Sequence, residues 1–533
     1  MIVRASAVQV VAAALLAPPA AAAIYGAGLP AFAAIATAVA VLVVGIGWAM
    51  RGHGANLEMS RTGFAGWILL ATLALAQNVR VSWYMADATR LLSTALPNGF
   101  VTVHECLSGY TEATRLALDG RENVYDDINY KMPDGGPKYV VRRNGVAETY
   151  DDARMRGLFD GGAVPRVAVV HVDEYEYPPP FLLLPYAMGR PLEHDLFRIR
   201  GPWFALQAFL LWIAFLISLG WPNRDLPTRG LAWLPAVWLA PPTLVGLQYG
   251  NFQTGVMAMS VIAMAAFARR RNVVRGVLLA FATLGKLFPS VLLAVLIARR
   301  RWRALALTVA WALVFVALTL MVFGRKPFDD FLSYQIPAIA SGAAFSFNDK
   351  PQWIPTNYGV YALVAKVRLL GFGGMGHETG TVVASAYGAV LMVLVVVLLI
   401  RIAIRERNTG RSILESPLVW LSLLNLAALR SPYVGDGYAQ VGTLWLVALV
   451  ASQHRRTRVQ LLAIAVLFTL WAVTLEGFAP SRPPAWMIAF SIVTQVALIA
   501  FNLAIWLYTV RSPIGERPVV SDNRIDDSVP RSS

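Results

Sequence analysis

Residues 269–301 read RRRNVVRGVLLAFATLGKLFPSVLLAVLIARRR, and this stretch decides the fold. Its apolar part, residues 276–298, is long enough to cross a hydrocarbon core of about 30 Å. Three arginines nevertheless stand at each end of the stretch, and arginine and lysine concentrate in the cytoplasmic loops of membrane proteins. If both ends are cytoplasmic, the segment enters the membrane and returns on the same side.

The centre of the stretch favours such a re-entrant hairpin. Gly285, Lys286 and Pro289 interrupt the helical pattern, which predicts two arms of about 10 to 12 residues, each roughly 15–18 Å long at 1.5 Å per residue. Irregular backbone inside a membrane is tolerated only where it lines a protein cavity or water. We therefore predict a functional role for Lys286 at the tip; the alternative is one ordinary span with a misassigned arginine cluster.

The remainder of the chain has the composition of an integral membrane protein. Of its 533 residues, 57% are hydrophobic and 14% are charged, whereas soluble domains carry about 25% charged residues. The mean hydropathy is +0.55. Apolar runs long enough, or nearly so, to cross a bilayer lie near residues 5–25, 30–50, 63–83, 203–220, 231–247, 252–268, 303–323, 380–404, 413–430, 437–452, 457–475 and 483–510. With the hairpin, they predict a mainly α, polytopic transmembrane helical bundle of about 12 spans.

The net charge of +15 comes mostly from lysines and arginines in the short segments between apolar runs. This is the pattern of cytoplasmic loops, so we interpret the charge as a sign of topology and expect no nucleic-acid binding. It predicts a multi-pass membrane protein with both termini in the cytoplasm. Residues 1–25 are expected either to remain as the first span or to be removed as a signal peptide.

Two long segments then fall on the extracytoplasmic side, and the first of them has the patterns of a folded domain. Its predicted elements are a helix over 105–119 that ends at Gly120, a hairpin over 139–150 with Asn144-Gly145 at its turn, a strand over 167–177 and a short apolar helix over 180–188. Asn-Gly is a favoured two-residue hairpin turn, and the last helix is too short to span a membrane. We predict a small α/β loop domain.

These predictions divide the chain into regions. The expected regions are two N-terminal transmembrane helices over 1–62, a membrane domain over 63–510 with the loop domain at 84–202 and a second outer loop at 324–379, and a disordered cytoplasmic tail over 511–533.

One hypothesis for the extracytoplasmic loops is that they catalyse the transfer of a sugar. No ATP is present on that side of the membrane, so such a reaction requires a donor that is already activated and lies in the membrane. A polyprenyl-phosphate sugar meets this requirement, and the enzyme must then supply a carboxylate base for the acceptor hydroxyl. Glu105 is the predicted base, because a helix N-terminus would keep it ionised. His104 beside it would tune Glu105 or contact sugar, and Asp87 is the rival base. Alternatively, Glu105 is only a charge at the start of a helix.

The enzyme must also stabilise the departing phosphate, and Lys286 is the predicted phosphate ligand. Asn251 and Gln253 stand at the start of another predicted helix, whose N-terminus favours an anion, and Arg430 lies at the end of a further span. Each has a structural alternative, which is snorkelling for the lysine, capping for the amides and anchoring for the arginine. The predicted substrate-binding residues are Lys286, Asn251, Gln253, Tyr177, Arg430 and Tyr433.

The sequence contains no nucleotide-binding loop, no HExxH motif and no Cys/His cluster of metal-binding spacing. The six histidines are scattered, and Cys106 is the single cysteine, so no intramolecular disulfide can form. We predict neither a metal ion nor a cofactor.

Five short motifs follow one another within residues 63–450. They are Gly120-x-x-Asn123-x-Tyr125-Asp126, Tyr177-Pro178-Pro179, Gly250-Asn251, Lys286-Leu287-Phe288-Pro289 and Ser431-Pro432. In this order they resemble the family-87 glycosyltransferases of the GT-C superclass, a family that includes polyprenyl-phosphate-mannose-dependent α-mannosyltransferases. Two positions depart from the family pattern, because Glu105 leads the loop helix where the family usually has aspartate, and Tyr433 follows Ser-Pro where the family often has tryptophan and histidine.

The resemblance implies a GT-C bundle and a metal-independent, inverting transfer of a sugar, with mannose the expected one. The donor would be a polyprenyl-phosphate sugar, the acceptor a lipid or glycan, and the base a carboxylate of the outer loop. Two other classes stay open. One is a transporter or flippase of a lipid-linked sugar, and the other is a surface-polysaccharide ligase or polymerase, for which Arg142 and Arg143 would be the expected centre. The acceptor, the linkage and the oligomeric state are not predicted.

Overall fold

A computed structural model gives the structure of the protein. It describes residues 1–51, 56–87, 89, 103–143, 146–159, 168–220, 228–268, 272–298, 300–341, 344, 350–372, 377–409, 417–452, 457–478 and 480–511. The predicted turn at Asn144-Gly145, most of the predicted cytoplasmic tail and several of the arginine clusters lie outside these residues.

The described chain is mainly helical. Its helices are α1 Ala5–Ala14, α2 Ala17–Gly26, α3 Ala31–Arg51, α4 Arg61–Ala86, α5 Cys106–Asp119, α6 Asp152–Phe159, α7 Leu183–Gly189, α8 Leu196–Ser218, α9 Thr228–Ala232, α10 Leu234–Leu239, α11 Pro241–Tyr249, α12 Gln253–Ala268, α13 Asn272–Gly285, α14 Val291–Ala298, α15 Trp302–Phe323, α16 Lys326–Asp330, α17 Ile336–Ser341, α18 Tyr361–Leu369, α19 His377–Thr409, α20 Pro417–Ala428, α21 Asp436–Ser452, α22 Arg458–Trp471 and α23 Ala485–Arg511. The strands are β1 Ile2–Val3, β2 Leu57–Glu58, β3 His104–Glu105, β4 Tyr139–Arg143, β5 Val146–Tyr150 and β6 Ala168–Val172.

Seven helical segments of the described chain are long and apolar enough to cross a membrane. They are Ala5–Gly26, Ala31–Arg51, Arg61–Ala86, Leu196–Ser218, Trp302–Phe323, Glu378–Leu398 and Ala485–Thr509. Four other predicted spans form the shorter helices α12, α20, α21 and α22, which have 16, 12, 17 and 14 residues. The polytopic helical fold is therefore confirmed, but the prediction of about 12 spans exceeds the number of helices that have full spanning length within the described residues.

The predicted span at 231–247 is bent rather than straight. Helices α9 and α10 meet α11 at an angle of 61°, and the two parts together could form an eighth span. Ala240 at the break has an extended backbone and precedes Pro241, as expected because a proline disfavours helical geometry in the residue before it. The Pro241-Pro242 pair was the sequence signal for this bend.

The apolar segment 276–298 is broken where the sequence predicted. Helix α13 ends at Gly285, and a 3₁₀ turn at Phe288–Ser290 leads into α14. The two arms have 14 and 8 residues, so their lengths differ more than was predicted. Lys286 follows directly after the end of the longer arm.

Packing against α15 supports a reversal of the chain at this break. Gly276 of α13 lies against Leu307 of α15, and further along both helices Phe281 packs on Phe315 with ring centroids 5.4 Å apart. The order of these contacts shows that α13 and α15 run in the same direction. The chain must therefore return between them through α14, as in a re-entrant hairpin.

The loop domain contains a four-stranded mixed sheet with strand order β3-β6-β4-β5. Strands β3 and β6 are parallel, and β4 is antiparallel to both β5 and β6. Helix α5 follows β3 directly and ends at Gly120, whose φ of 71° is the left-handed conformation that glycine adopts without strain. The predicted helix and hairpin are confirmed, whereas the predicted strand over 167–177 is limited to β6.

The loop domain connects α4 to α8, so it lies where α4 ends and α8 begins. We call this end of the bundle the loop face.

The segment after β6 leaves the sheet and runs into the bundle. Tyr175 and Tyr177 bury their rings there against Tyr110, Phe181 and their neighbours. This burial is the reason that β6 ends before residue 173.

The N-terminal helices are integrated into the bundle. Strand β1 pairs with β2 in an antiparallel two-stranded sheet, and α2 packs closely on α8. At that contact Gly26 meets Gly201, and a Cβ on Gly201 would lie 2.2 Å from the carbonyl oxygen of Ala22. Close approach of two helices through small residues is a common means of helix association in membranes.

We predict that Gly201→Ala lowers the thermal stability of the protein, because the added methyl group meets the α2 backbone and overpacking costs about 1–3 kcal/mol. Gly66→Ala is the matched control, since a Cβ at this position of α4 would meet nothing within 4 Å. Unfolding of the purified protein, followed by tryptophan fluorescence, measures both variants. Equal apparent Tm values for the two would contradict the described α2–α8 contact.

Candidate active site

A buried ion pair joins the loop domain to the bundle. Glu105 is the N-cap of α5, and Arg200 lies near the start of α8. Arg200 Nε donates to Glu105 Oε2 at 2.6 Å, and Arg200 Nη1 donates to the carbonyl oxygen of Tyr84 at 3.3 Å. The two side chains are 1% and 2% exposed. This pair therefore connects α5, α8 and the end of α4.

Burial determines the protonation behaviour of Glu105. It raises the pKa of Glu105 to about 7, and the Arg200 guanidinium opposes the rise. Such a pKa suits a general base at neutral pH. Glu105 Oε2 is nevertheless held by Arg200, and Oε1 is buried without a hydrogen-bond partner among the described residues. In this conformation the carboxylate has no open face for a substrate hydroxyl.

A group of polar side chains lies on the loop face beside this pair, and we call it the central polar cluster. It consists of His104, Cys106, Asp173, Tyr177, Asn251, Gln253 and Lys286, which hydrogen bonds and short contacts connect. The structure thus brings together five of the residues named from the sequence, from four separate segments of the chain.

Lys286 forms one end of the central polar cluster. Its Nζ donates to Gln253 Oε1 at 3.2 Å and lies 4.5 Å from the centre of the Tyr177 ring. The Tyr177 hydroxyl donates to Asn251 Oδ1 at 2.8 Å, and the Gln253 backbone N–H donates to the same oxygen at 3.0 Å. These contacts fix the tip of the broken segment against the N-terminus of α12.

His104 and Cys106 form the other end of the cluster. His104 Nε2 lies 3.6 Å from Cys106 Sγ and 3.8 Å from Asp173 Oδ2, and the Asn251 side-chain amide donates to the same sulfur at 3.6 Å. Burial lowers the pKa of His104, against the opposing effect of Asp173, and burial raises the pKa of the Cys106 thiol. Both groups are therefore neutral near pH 7 when nothing else is bound.

Acidic residues follow β6 in the segment that leads into the bundle. Burial raises the pKa of Glu176, neighbouring Glu174 and Asp173 raise it further, and Lys286 opposes the rise. Burial also raises the pKa of Glu174 to about 7, although Lys131 lies 3.3 Å from its carboxylate. The cluster therefore has an acidic side next to its lysine.

The other predicted residues lie outside the central polar cluster. Asp87 caps the end of α4, is half-buried, and accepts hydrogen bonds from the backbone and hydroxyl of Thr89. Arg430 is exposed and lies against Gly388 of α19; no hydrogen bond among the described residues joins it to the cluster. Burial raises the pKa of Tyr433, and neighbouring Glu476 raises it further.

Sequence reasoning missed Arg200, Asp173 and Glu176. An arginine inside an apolar helix indicates a buried ion pair, because a charge at membrane depth requires a partner. Arg200 was nevertheless missed, because the predicted span began after it. The acids were missed because their strand pattern was extended through residue 177. The true end of the strand depends on contacts with distant aromatic side chains, which the local pattern does not contain.

We predict that Arg200→Met destabilises the protein by about 3–5 kcal/mol, because it leaves the Glu105 carboxylate buried without its partner. The loss should be larger at about pH 8 than at about pH 5.5, since the unpaired Glu105 has a pKa raised by burial and is protonated at the lower pH. Thermal unfolding at both pH values measures this.

Arg154→Met is the matched control, because Arg154 pairs with Glu148 at the surface, where both side chains are 55% exposed, and such pairs contribute at most about 1 kcal/mol. Adding Glu105→Gln to Arg200→Met should restore part of the lost stability. If Arg200→Met and Arg154→Met proved equally mild, the Glu105–Arg200 pair would not hold the loop domain on the bundle.

Comparison with known proteins finds a family match for part of the chain. The model of glycosyltransferase family 87 matches residues 175–432; within them lie Tyr177, Arg200, Asn251, Gln253 and Lys286. Among solved structures, the crystal structure of ArnT from Cupriavidus metallidurans in the apo state matches at 11% sequence identity, over 84% of this chain and 78% of that chain, with a TM-score of 0.26. No curated protein sequence matches. The family match agrees with the resemblance noted from the motifs: residues 175–432 of this polytopic membrane chain, just under half of its length, are similar to the glycosyltransferases of family 87.

Proposed function

We propose that the protein transfers a sugar, with mannose the first candidate, from a polyprenyl-phosphate donor to a lipid or glycan acceptor on the extracytoplasmic face of the membrane. The observation that carries this proposal is the position of Lys286. This lysine stands at the break of an apolar segment, at the loop face, in contact with Tyr177 and Gln253.

Lys286 is suited to hold the phosphate of a membrane-embedded donor. An ammonium group has three N–H donors, and one hydrogen bond, to Gln253, is present among the described residues. The remaining donors are available to an anion. The side chain is half-buried, so a phosphate beside it would be partly shielded from water, where a charge-assisted hydrogen bond is strong.

The N-terminus of α12 adds to this anion site. Gln253 is the first residue of this 16-residue helix, and a helix N-terminus favours negative charge through its free N–H groups and its dipole. The Gln253 side chain bridges this helix to Lys286. A phosphate at Lys286 would therefore face two sources of positive potential.

We propose Asp87 as the general base and Glu105 as a residue that positions the loop domain. Glu105 is fully buried in its pair with Arg200, whereas Asp87 is half-buried at the loop face, three residues after Tyr84, whose carbonyl receives the same arginine. A general base must reach the proton of the acceptor hydroxyl. Exposure therefore favours Asp87, although the resemblance favours the carboxylate at the start of the loop helix.

The charge distribution supports an extracytoplasmic loop face. Arg61, Arg301 and Arg458 stand at the starts of α4, α15 and α22. The loop domain follows the far end of α4, so Arg61 is at the opposite end of the bundle. Because basic residues mark the cytoplasmic side, this arrangement supports a reaction on the outside, where a lipid-linked donor is required.

The hypothesis of a polysaccharide ligase or polymerase requires Arg142 and Arg143 as the reactive centre. Arg142 is instead engaged by Asp195, and its guanidinium lies 5.3 Å from the centre of the Phe197 ring. These contacts give Arg142 a role in attaching β4 to the start of α8. No described contact of Arg142 favours the ligase function over sugar transfer.

The decisive experiment is transfer of labelled sugar by the purified protein in lipid nanodiscs. We expect label to pass from polyprenyl-phosphate mannose to a lipid of the membrane extract, and no label to pass from a nucleotide sugar. Donors with glucose or arabinose test the sugar. If none of the polyprenyl-phosphate donors yields a labelled product, the proposed reaction is wrong. That result would support the hypothesis of a transporter or flippase of a lipid-linked sugar.

Lys286→Met should raise the KM for the donor about 10- to 100-fold, the expected cost of a lost hydrogen bond to a charged group. Lys326→Met is the matched control, because Lys326 is another lysine beyond the end of α15 and pairs with Asp330 at 3.0 Å. An unchanged donor KM in Lys286→Met, with the protein folded, would remove the phosphate role from Lys286.

Asp87→Asn should lower kcat about 100-fold or more, the usual contribution of a general base, while donor binding persists. Glu105→Gln should instead lower the apparent Tm and leave measurable turnover in the folded fraction. Asp329→Asn, at an exposed acid on the same face that pairs with Arg325 at 3.0 Å, is the control. The reverse result, with turnover lost in a fully stable Glu105→Gln, would make Glu105 the base.

A further inference from the structure

Three side chains with metal-ligating atoms converge at one end of the central polar cluster. They are His104, Cys106 and Asp173, and their ligand atoms all lie within 4.8 Å of one another. His104 is in β3 and Cys106 is the first residue of α5, whereas Asp173 lies in the segment after β6, 67 positions beyond Cys106. Because of this separation, no metal-binding spacing is visible in the sequence.

Strand pairing brings these residues together. Strands β3 and β6 are parallel, with His104 beside His171 and Glu105 beside Val172. Continued by one position, this register places Cys106 beside Asp173. Alternate residues of a strand point to the same side, so His104 and Cys106 face one way while Glu105 faces the other way, toward Arg200.

The backbone around Asp173 is fitted closely to α5. A Cβ on Gly109 would lie 2.5 Å from the carbonyl oxygen of Asp173, so only glycine allows this approach. Ser108 Oγ donates to the carbonyl oxygen of Glu105 at 2.6 Å and accepts from the Asp173 N–H at 2.9 Å. Asp173 is therefore held against the first turn of α5 by the backbone itself.

The separations match a metal-bound arrangement. With metal–ligand bonds of about 2.0–2.3 Å, two ligand atoms on a tetrahedral zinc ion are roughly 3.3–3.8 Å apart. His104 Nε2 lies 3.6 Å from Cys106 Sγ and 3.8 Å from Asp173 Oδ2. Small side-chain movements would therefore bring all three atoms to one ion.

The surroundings of the sulfur suit a thiolate ligand. The Asn251 amide donates to Cys106 Sγ at 3.6 Å, and the Tyr438 hydroxyl lies 3.8 Å from it. The His104 ring stacks edge-on against Tyr249, with centroids 4.6 Å apart. Hydrogen bonds to a ligating atom and packing against a ligating ring are the usual support of a metal site.

We propose that His104, Cys106 and Asp173 bind a zinc-type divalent transition-metal ion. Sulfur and imidazole ligands select such ions over magnesium or calcium, and three protein ligands leave one coordination position for water or another ligand. Binding replaces the thiol proton of Cys106, which is released to the solvent. The site goes beyond the proposed sugar transfer and does not depend on it.

Cobalt titration of the EDTA-treated, full-length protein tests this proposal without any donor. Co²⁺ should bind at one ion per chain with a sulfur-to-cobalt charge-transfer band in the near ultraviolet, and Zn²⁺ should displace it. Cys106 is the single cysteine, so a thiolate band has one possible origin. A cobalt-loaded protein without this band, or zinc retention no higher than in Cys106→Ser, would overturn the proposal.

Two variants extend the test. Asp173→Asn should weaken zinc binding by at least tenfold, and His194→Ala, which removes an exposed histidine of the same domain, should not change it. The wild-type spectrum decides the question even if Cys106→Ser does not fold. Metal binding and sugar transfer are measured separately. A negative result in one measurement therefore does not change the interpretation of the other.

Discussion

One desolvated contact, the ion pair between Arg200 and Glu105, constrains how the loop domain lies on the bundle. A charge buried alone would cost several kcal/mol, so these two side chains require each other. Their pairing fixes the start of α5 over the start of α8, with the end of α4 as the third partner. His104 and Cys106, on either side of Glu105 in the chain, are placed by the same contact.

Asn251 is the point at which the two halves of the site meet. Its side-chain oxygen accepts from Tyr177, and its amide donates to Cys106. One asparagine thereby connects the lysine end of the central polar cluster with the histidine end. The proposed phosphate site and the proposed metal site would therefore share one hydrogen-bonded asparagine.

The sequence predicted the parts of this arrangement that depend on local patterns. The helix at 105–119, the hairpin at 139–150 and the break at Lys286 follow from periodicity, turn residues and proline, and the structure confirms all three. It did not predict the contact of Asp173 with Cys106 or of Arg200 with Glu105, because these pairs are formed by strand register and helix packing across long separations. It also could not distinguish short apolar helices from full spans, since both have the same composition.

The short helices beside the central polar cluster have a consequence for the depth at which a lipid-linked donor would bind. Helices α12 and α13 have 16 and 14 residues, which gives lengths of roughly 21–24 Å, against a hydrocarbon core of about 30 Å. Both helices are largely buried among other helices, so protein rather than lipid surrounds them. Because α13 is shorter than the hydrocarbon core, Lys286 at its end would lie below the membrane surface, and a lipid phosphate that reaches the lysine would enter the interior of the protein while its hydrocarbon chain stays in the bilayer.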